Sequence, residues 1–135
     1  VCVLEGLGQF SRSVPAHGLA GVDEAISGAC EFLLSRSLFI DHPDRRFRRL
    51  SYPYRYRYDL LRALECLAWL QVPYDDRMQP AAAWLQAKRR QDGLWYLENR
   101  HKGNMHASIE EPGEPSRFIT LKALCIGRHF GTLPA

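Results

Sequence analysis

Apolar residues recur at three- and four-residue spacings in five stretches of this chain, the pattern of helices that bury one face. The first covers about residues 1–12 and ends at the Ser13-Val14-Pro15 break and Gly18. In the second, about 22–38, Val22, Ala25, Ile26, Ala29 and Leu33 share a face. The third, about 59–71, carries Leu60, Leu61, Leu64, Leu67 and Ala68, with Asp59 placed to cap its first turn. The fourth follows Asp75-Asp76, has Pro80 near its start and Lys88-Arg89-Arg90 at its end, and stops at Gly93. The fifth runs from the cap Ser116 to about Phe130, before Gly131. Residues 51–58 alternate with period two, but Pro53 and the lack of a second strand make them an extended loop. The expected fold class is all-α.

The helices repeat. Leu4-Glu5-Gly6-Leu7, Leu61-Arg62-Ala63-Leu64 and Leu121-Lys122-Ala123-Leu124 align as one kind of helix core. Ala29-Cys30-Glu31-Phe32-Leu33 and Ala81-Ala82-Ala83-Trp84-Leu85 align as another. The order A, B, A, B, A has a period of about 57 residues and describes an array of αα-hairpins, each burying its face against the next.

The string from Pro80 to Trp95 is the most specific in the chain. It resembles the QW repeat of squalene and oxidosqualene cyclases. Ala81, Trp84, Leu85, Gly93 and Trp95 fall at that motif's spacings, while Pro80 stands for its basic residue and Arg89 for its glutamine. A decayed copy survives as Ala29, Phe32 and Leu33. Phe47–Pro53, Tyr58–Leu64, Asp92–His101 and Pro115–Leu124 further resemble bacterial squalene-cyclase-like or prenyltransferase-like proteins of unassigned activity. The resemblance to the terpenoid cyclase and protein prenyltransferase superfamily implies a partial α/α toroid of about two and a half hairpins. A closed ring of six hairpins needs more than twice this length. Residues 1–135 are therefore expected to form a single segment of a longer or oligomeric toroid, completed by a missing half or by a second copy.

By the same resemblance, the loops before the inner helices line a central cavity. That assigns Arg57, Tyr58 and Asp59 ahead of the third helix, and Arg117 with Phe118 ahead of the fifth, to a ligand site. Trp95, Glu98, Asn99, Arg100 and His101 join them after the QW-like string. Aromatic and Arg side chains together suit an isoprenoid diphosphate or another amphipathic anion. In the alternative reading, Arg57 and Arg117 pair with Asp59, Glu98 or Glu110 and lock hairpin to hairpin.

The superfamily's reactive motifs are missing from the chain. Asp75-Asp76 and Glu110-Glu111 are its close acidic pairs, and neither makes a DxDD cluster. The first reads as a helix cap and the second as a solvent-facing loop. Asp75-Asp76-Arg77-Met78-Gln79 lacks the last acid of DDxxD, and no Asp-x-Cys zinc pair occurs. Asp59 and Cys66 are too far apart in sequence, and a His such as His106 or His129 would have to complete such a site. No metal or cofactor is expected, and catalysis is left unassigned.

Composition adds little. Four separated cysteines, three of them (Cys30, Cys66, Cys125) in apolar runs, read as reduced, buried thiols of a cytoplasmic protein. No apolar run is long enough to span a membrane. Arg45, Arg46, Arg48, Arg49, Arg55 and Arg57 are interleaved with Phe47 and four tyrosines, an arrangement able to track phosphates and stack bases. Asp41, Asp44 and Asp59 dilute that charge and the net balance is only +3, which argues against nucleic acid.

Overall fold

The computed structural model describes residues 1–14, 21–101, 103 and 107–132, and these contain five α-helices and no strand. They are α1 (Cys2–Ser13), α2 (Val22–Ser35), α3 (Leu60–Trp69), α4 (Gln79–Ala87) and α5 (Arg117–Phe130). Short 3-10 turns occupy Ser37–Phe39, Arg45–Arg48 and Asp76–Met78. The all-α expectation holds. Pro15, Gly18 and His106 lie outside the described residues.

Local chemistry explains the boundaries. The Asp59 carboxylate accepts from the Arg62 amide at 2.8 Å and starts α3, and the Ser116 hydroxyl accepts from Ile119 at 3.0 Å and starts α5. Pro80 sits in the first turn of α4, where its missing N–H costs nothing. Gly131 closes α5 in the left-handed conformation, φ 64°. Helix α2 ends at Ser35, short of the expected Leu38, because Ser37, Leu38 and Phe39 take positive φ and fold the chain back.

Helix α1 packs on α2, while α3 packs on both α4 and α5. Flanked on both sides, α3 buries Leu60, Leu61, Ala63, Leu64, Cys66 and Leu67 in one core with Leu38, Leu50, Met78, Trp95 and Ile119. The 57-residue period is written into the contacts between A helices. Glu5 binds Arg62, the Arg12 guanidinium donates to the Trp69 carbonyl, Glu65 binds Lys122, and His129 meets the Val72 carbonyl, each across 57 positions. Gly8 lets α1 approach closely: a Cβ there would lie 2.5 Å from Leu70 and 2.6 Å from Trp69.

Helix α4 ends at Ala87, so Arg89 and Arg90 lie beyond it rather than in its last turn, and the chain then turns back through Gly93, φ 81°. Arg89 holds this turn: its Nε donates to the Gly93 carbonyl at 3.0 Å and its guanidinium lies 5.4 Å from the Trp95 ring. The Trp95 indole N–H donates to the Leu85 carbonyl at 2.7 Å, near the end of α4. Residues 95–99 then lace the loops together, Ser116 donating to Trp95, Leu97 to Glu114, and Glu98 and Asn99 to Leu50. Ser51 bridges Asn99 without starting a sheet, as expected of an extended loop.

Candidate functional site

Packing three A helices side by side brings charged residues into a row. Glu5 of α1 grips Arg62 of α3, whose Nη1 also donates to the Arg55 and Arg57 carbonyls at 3.0 and 2.9 Å. One turn further along α3, Glu65 pairs with Lys122 of α5. Tyr54 sits between the pairs, with Lys122 Nζ 4.9 Å and the Arg62 guanidinium 5.7 Å from its ring. Its hydroxyl is buried without a hydrogen-bond partner among the described residues.

Asp59 adjoins this row and is buried. Loss of solvent pushes its carboxyl up to about 7, against the pull of the Arg62 amide and guanidinium and of Lys122; Glu65 adds to the rise. Burial likewise pushes the Cys66 thiol up to about 12, so it packs as an inert group. A cavity of about 420 Å³ opens beside the row, between α1 and α3, against Glu5, Gln9, Glu65 and Trp69.

Among the described residues, the side chains singled out from sequence have separate partners. Asp59 caps α3. Trp95 is completely buried, so it belongs to the core rather than to a cavity wall. Glu98 is exposed, and its carboxylate is engaged by the Leu50 amide and Lys88. Arg100 is exposed and reaches Ser108 and Glu111. Arg117 is exposed, and its amide is held by Glu110 at 2.8 Å. Arg57 is exposed, its guanidinium 5.7 Å from the Tyr56 ring. Among the described residues neither Arg57 nor Arg117 makes an ion pair, so the hairpin-locking pairs with Asp59, Glu98 or Glu110 do not form. The locking role falls instead to Arg62 and Lys122. Burial and the charges of Arg57, Arg55 and Arg46 all lower the affinity of His101 for a proton.

Two other expectations change. Glu110 is half-buried, and its carboxylate accepts from the Ser116 hydroxyl and the Arg117 amide and so organises the start of α5, while Glu111 stays exposed as expected. Cys125 is exposed, because no helix among the described residues covers that side of α5, whereas Cys30 and Cys66 are buried.

Tyr58 leads to a site that sequence reading missed. Its hydroxyl donates to the Leu38 carbonyl at 2.5 Å, and its ring meets Phe39 and Phe47 at centroid distances of 6.0 and 4.7 Å. His42 stacks on Phe47 at 4.3 Å, and Phe32 of α2 tilts onto Phe39 at 5.7 Å. These rings, with Val3, Leu4 and Leu33, line a mainly apolar cavity of about 340 Å³ that opens to solvent beside Val3 and Phe32. Phe32 marked a decayed repeat and Phe47 an arginine-rich stretch, and no local pattern connects two residues from such different settings.

Among the described residues no three His, Cys, Asp or Glu side chains converge on a possible metal position. No described helix is long and apolar enough to cross a membrane. No protein-family model, curated protein or solved structure matches this chain.

Proposed function

We propose that this chain is a hairpin-repeat module of the squalene-cyclase-like and prenyltransferase-like type that binds an isoprenoid-like or other amphipathic small molecule. The supporting observation is the 340 Å³ cavity walled by Phe32, Phe39, His42, Phe47 and Tyr58. Aromatic walls give dispersion contact to a branched hydrocarbon; of their polar atoms, the Tyr58 hydroxyl is committed to the Leu38 carbonyl and His42 Nδ1 accepts from the Asp44 amide. The charge row on α1, α3 and α5 acts as a scaffold holding successive hairpins in register. Its acids are paired with cations, so the chain is read as a binding module without chemistry of its own.

Calorimetric titration with farnesol, a neutral isoprenoid alcohol, tests this reading. Saturable binding weakened about tenfold or more by Phe47→Ala is expected from the lost ring contacts. Absence of binding to the unaltered chain would remove the reading.

The exposed face of α5 favours a second, compatible role. Leu121 and Leu124 stand out from it, and an apolar helix face of this kind docks a further hairpin, here that of a second copy. Native mass spectrometry checks it: a discrete assembly dispersed by Leu121→Glu supports docking between copies, and a monomer at all concentrations removes it.

A further inference from the structure

The 3-10 turn Arg45–Arg48 has two faces. One sends Phe47 into the aromatic cavity, which anchors the turn. The other looks across a cleft of about 650 Å³ to the end of α4, and the side chains around it are Arg45, Arg48, Arg49, Trp84, Lys88 and Glu98. Four of these six are cations and one is an acid. Glu98 is already engaged by Lys88 and by the Leu50 amide at 2.9 Å, so that acid offsets a single positive charge. Arg48 is fixed by the Ile40 and His42 carbonyls, at 2.5 and 3.1 Å, acceptors that orient a guanidinium without neutralising it. The side chains of Arg45 and Arg49 make no ion pair or hydrogen bond among the described residues. Asp44 does not relieve them, because its carboxylate is taken by Arg46, which is not part of the cleft wall.

We propose that this cleft binds a small, multiply charged oxyanion of the diphosphate or phosphate-ester class. An anion entering the cleft meets three guanidinium groups, Arg45, Arg48 and Arg49, that have no acid partner among the described residues. Planar guanidinium groups match paired phosphate oxygens through two parallel N–H···O bonds. The half-buried Trp84 indole forms an apolar wall beside the charged rim, which favours an anion carrying a flat or hydrocarbon substituent. Sequence reading placed anion recognition on Arg57 and Arg117; the geometry moves it to Arg45, Arg48 and Arg49. The inference is independent of the aromatic cavity, since the probe below carries no hydrocarbon.

The experiment is calorimetric titration of the full chain with inorganic diphosphate. It compares the unaltered protein, the double variant Arg45→Ser/Arg49→Ser, and Arg36→Ser/Arg128→Ser, which removes the same charge from exposed positions elsewhere. Thermal melting confirms that each folds. Saturable binding to the unaltered chain is expected, weakened about tenfold or more in the first variant and less than about twofold in the second. No binding, or equal weakening by both variants, would overturn the proposal. A single-stranded oligonucleotide and vesicles containing phosphatidylglycerol are the competing arms. Binding to either that depends on Arg45 and Arg49 but resists displacement by diphosphate would assign the cleft to a polymer or a membrane surface, and the small-anion site would be wrong.

Discussion

Helices α3 and α5 hold successive places in one repeat, and the contacts joining the A helices pair residues 57 positions apart. Leu64 and Leu67 of α3 are 0% exposed, while the leucines 57 positions on, Leu121 and Leu124 of α5, are 61% and 44% exposed. The residue type is the same and the surroundings differ: α3 has α4 on one side and α5 on another, whereas α5 has α3. Periodicity tells a helix which face to hide, and only a neighbour hides it. The caps differ in the same sense. Asp59 is a buried acid under electrostatic load, and Ser116 does the same job with a neutral hydroxyl supported by Glu110.

The sharpest test of this contrast is truncation. Leu64→Ala removes a fully packed side chain and should cost about 2–5 kcal/mol in chemical denaturation, against roughly 0.5 kcal/mol or less for Leu121→Ala. Equal losses would mean that α5 is covered in solution.

The caps give the next largest effect. Asp59 holds its proton more tightly folded than unfolded, so its stabilising contribution is present below about pH 4 and is lost as pH rises toward 7. Asp59→Asn keeps an oxygen for the Arg62 amide and should flatten this slope, raising stability at pH 8 by at most about 4 kcal/mol. Melting curves from pH 4 to 8 would show it, and an unchanged slope would place the titration elsewhere.

Ion pairs follow. Arg62→Ala strips two backbone carbonyls and Glu5 of their donor inside the core and should cost about 3 kcal/mol. Lys122→Ala breaks a more exposed pair and should cost about 1 kcal/mol or less. Reversal of that order in urea titrations would put the weight of the charge row on α5. The smallest effect expected is at Tyr54→Phe, which deletes a buried hydroxyl without a partner among the described residues and should leave stability unchanged or slightly higher.

Much of the fold was legible because its signals are local. Helical periodicity marked all five helices, Asp59 and Ser116 declared their caps and Gly131 the end of α5, but α4 ends at Ala87, well short of the expected stop at Gly93. The aligned strings stand 57 residues apart between α1 and α3 but 60 apart between α3 and α5, where the contacts keep 57. The site was far less legible. Arg57, Arg100 and Arg117 came to a ligand site through the family resemblance; the fold leaves their side chains exposed and sends Trp95 into the core. Phe32, Phe39 and Phe47 carry no motif; the reversal at residues 37–39 and the turn at 45–48 bring them together. Cys125 looked buried because its helix is apolar, and the missing neighbour left no trace in the string.

The constant separation of 57 residues between interhelical partners also bears on how the chain reaches this state. A hairpin such as α1–α2 closes a much shorter loop than any contact between repeats, and loop closure grows costlier with length. Hairpins are therefore expected to form first and dock afterwards, each docking step closing a loop of about the same size. Truncation at a hairpin boundary should then slow neither the formation nor the pairing of the hairpins that remain, since every later step adds to a template already built.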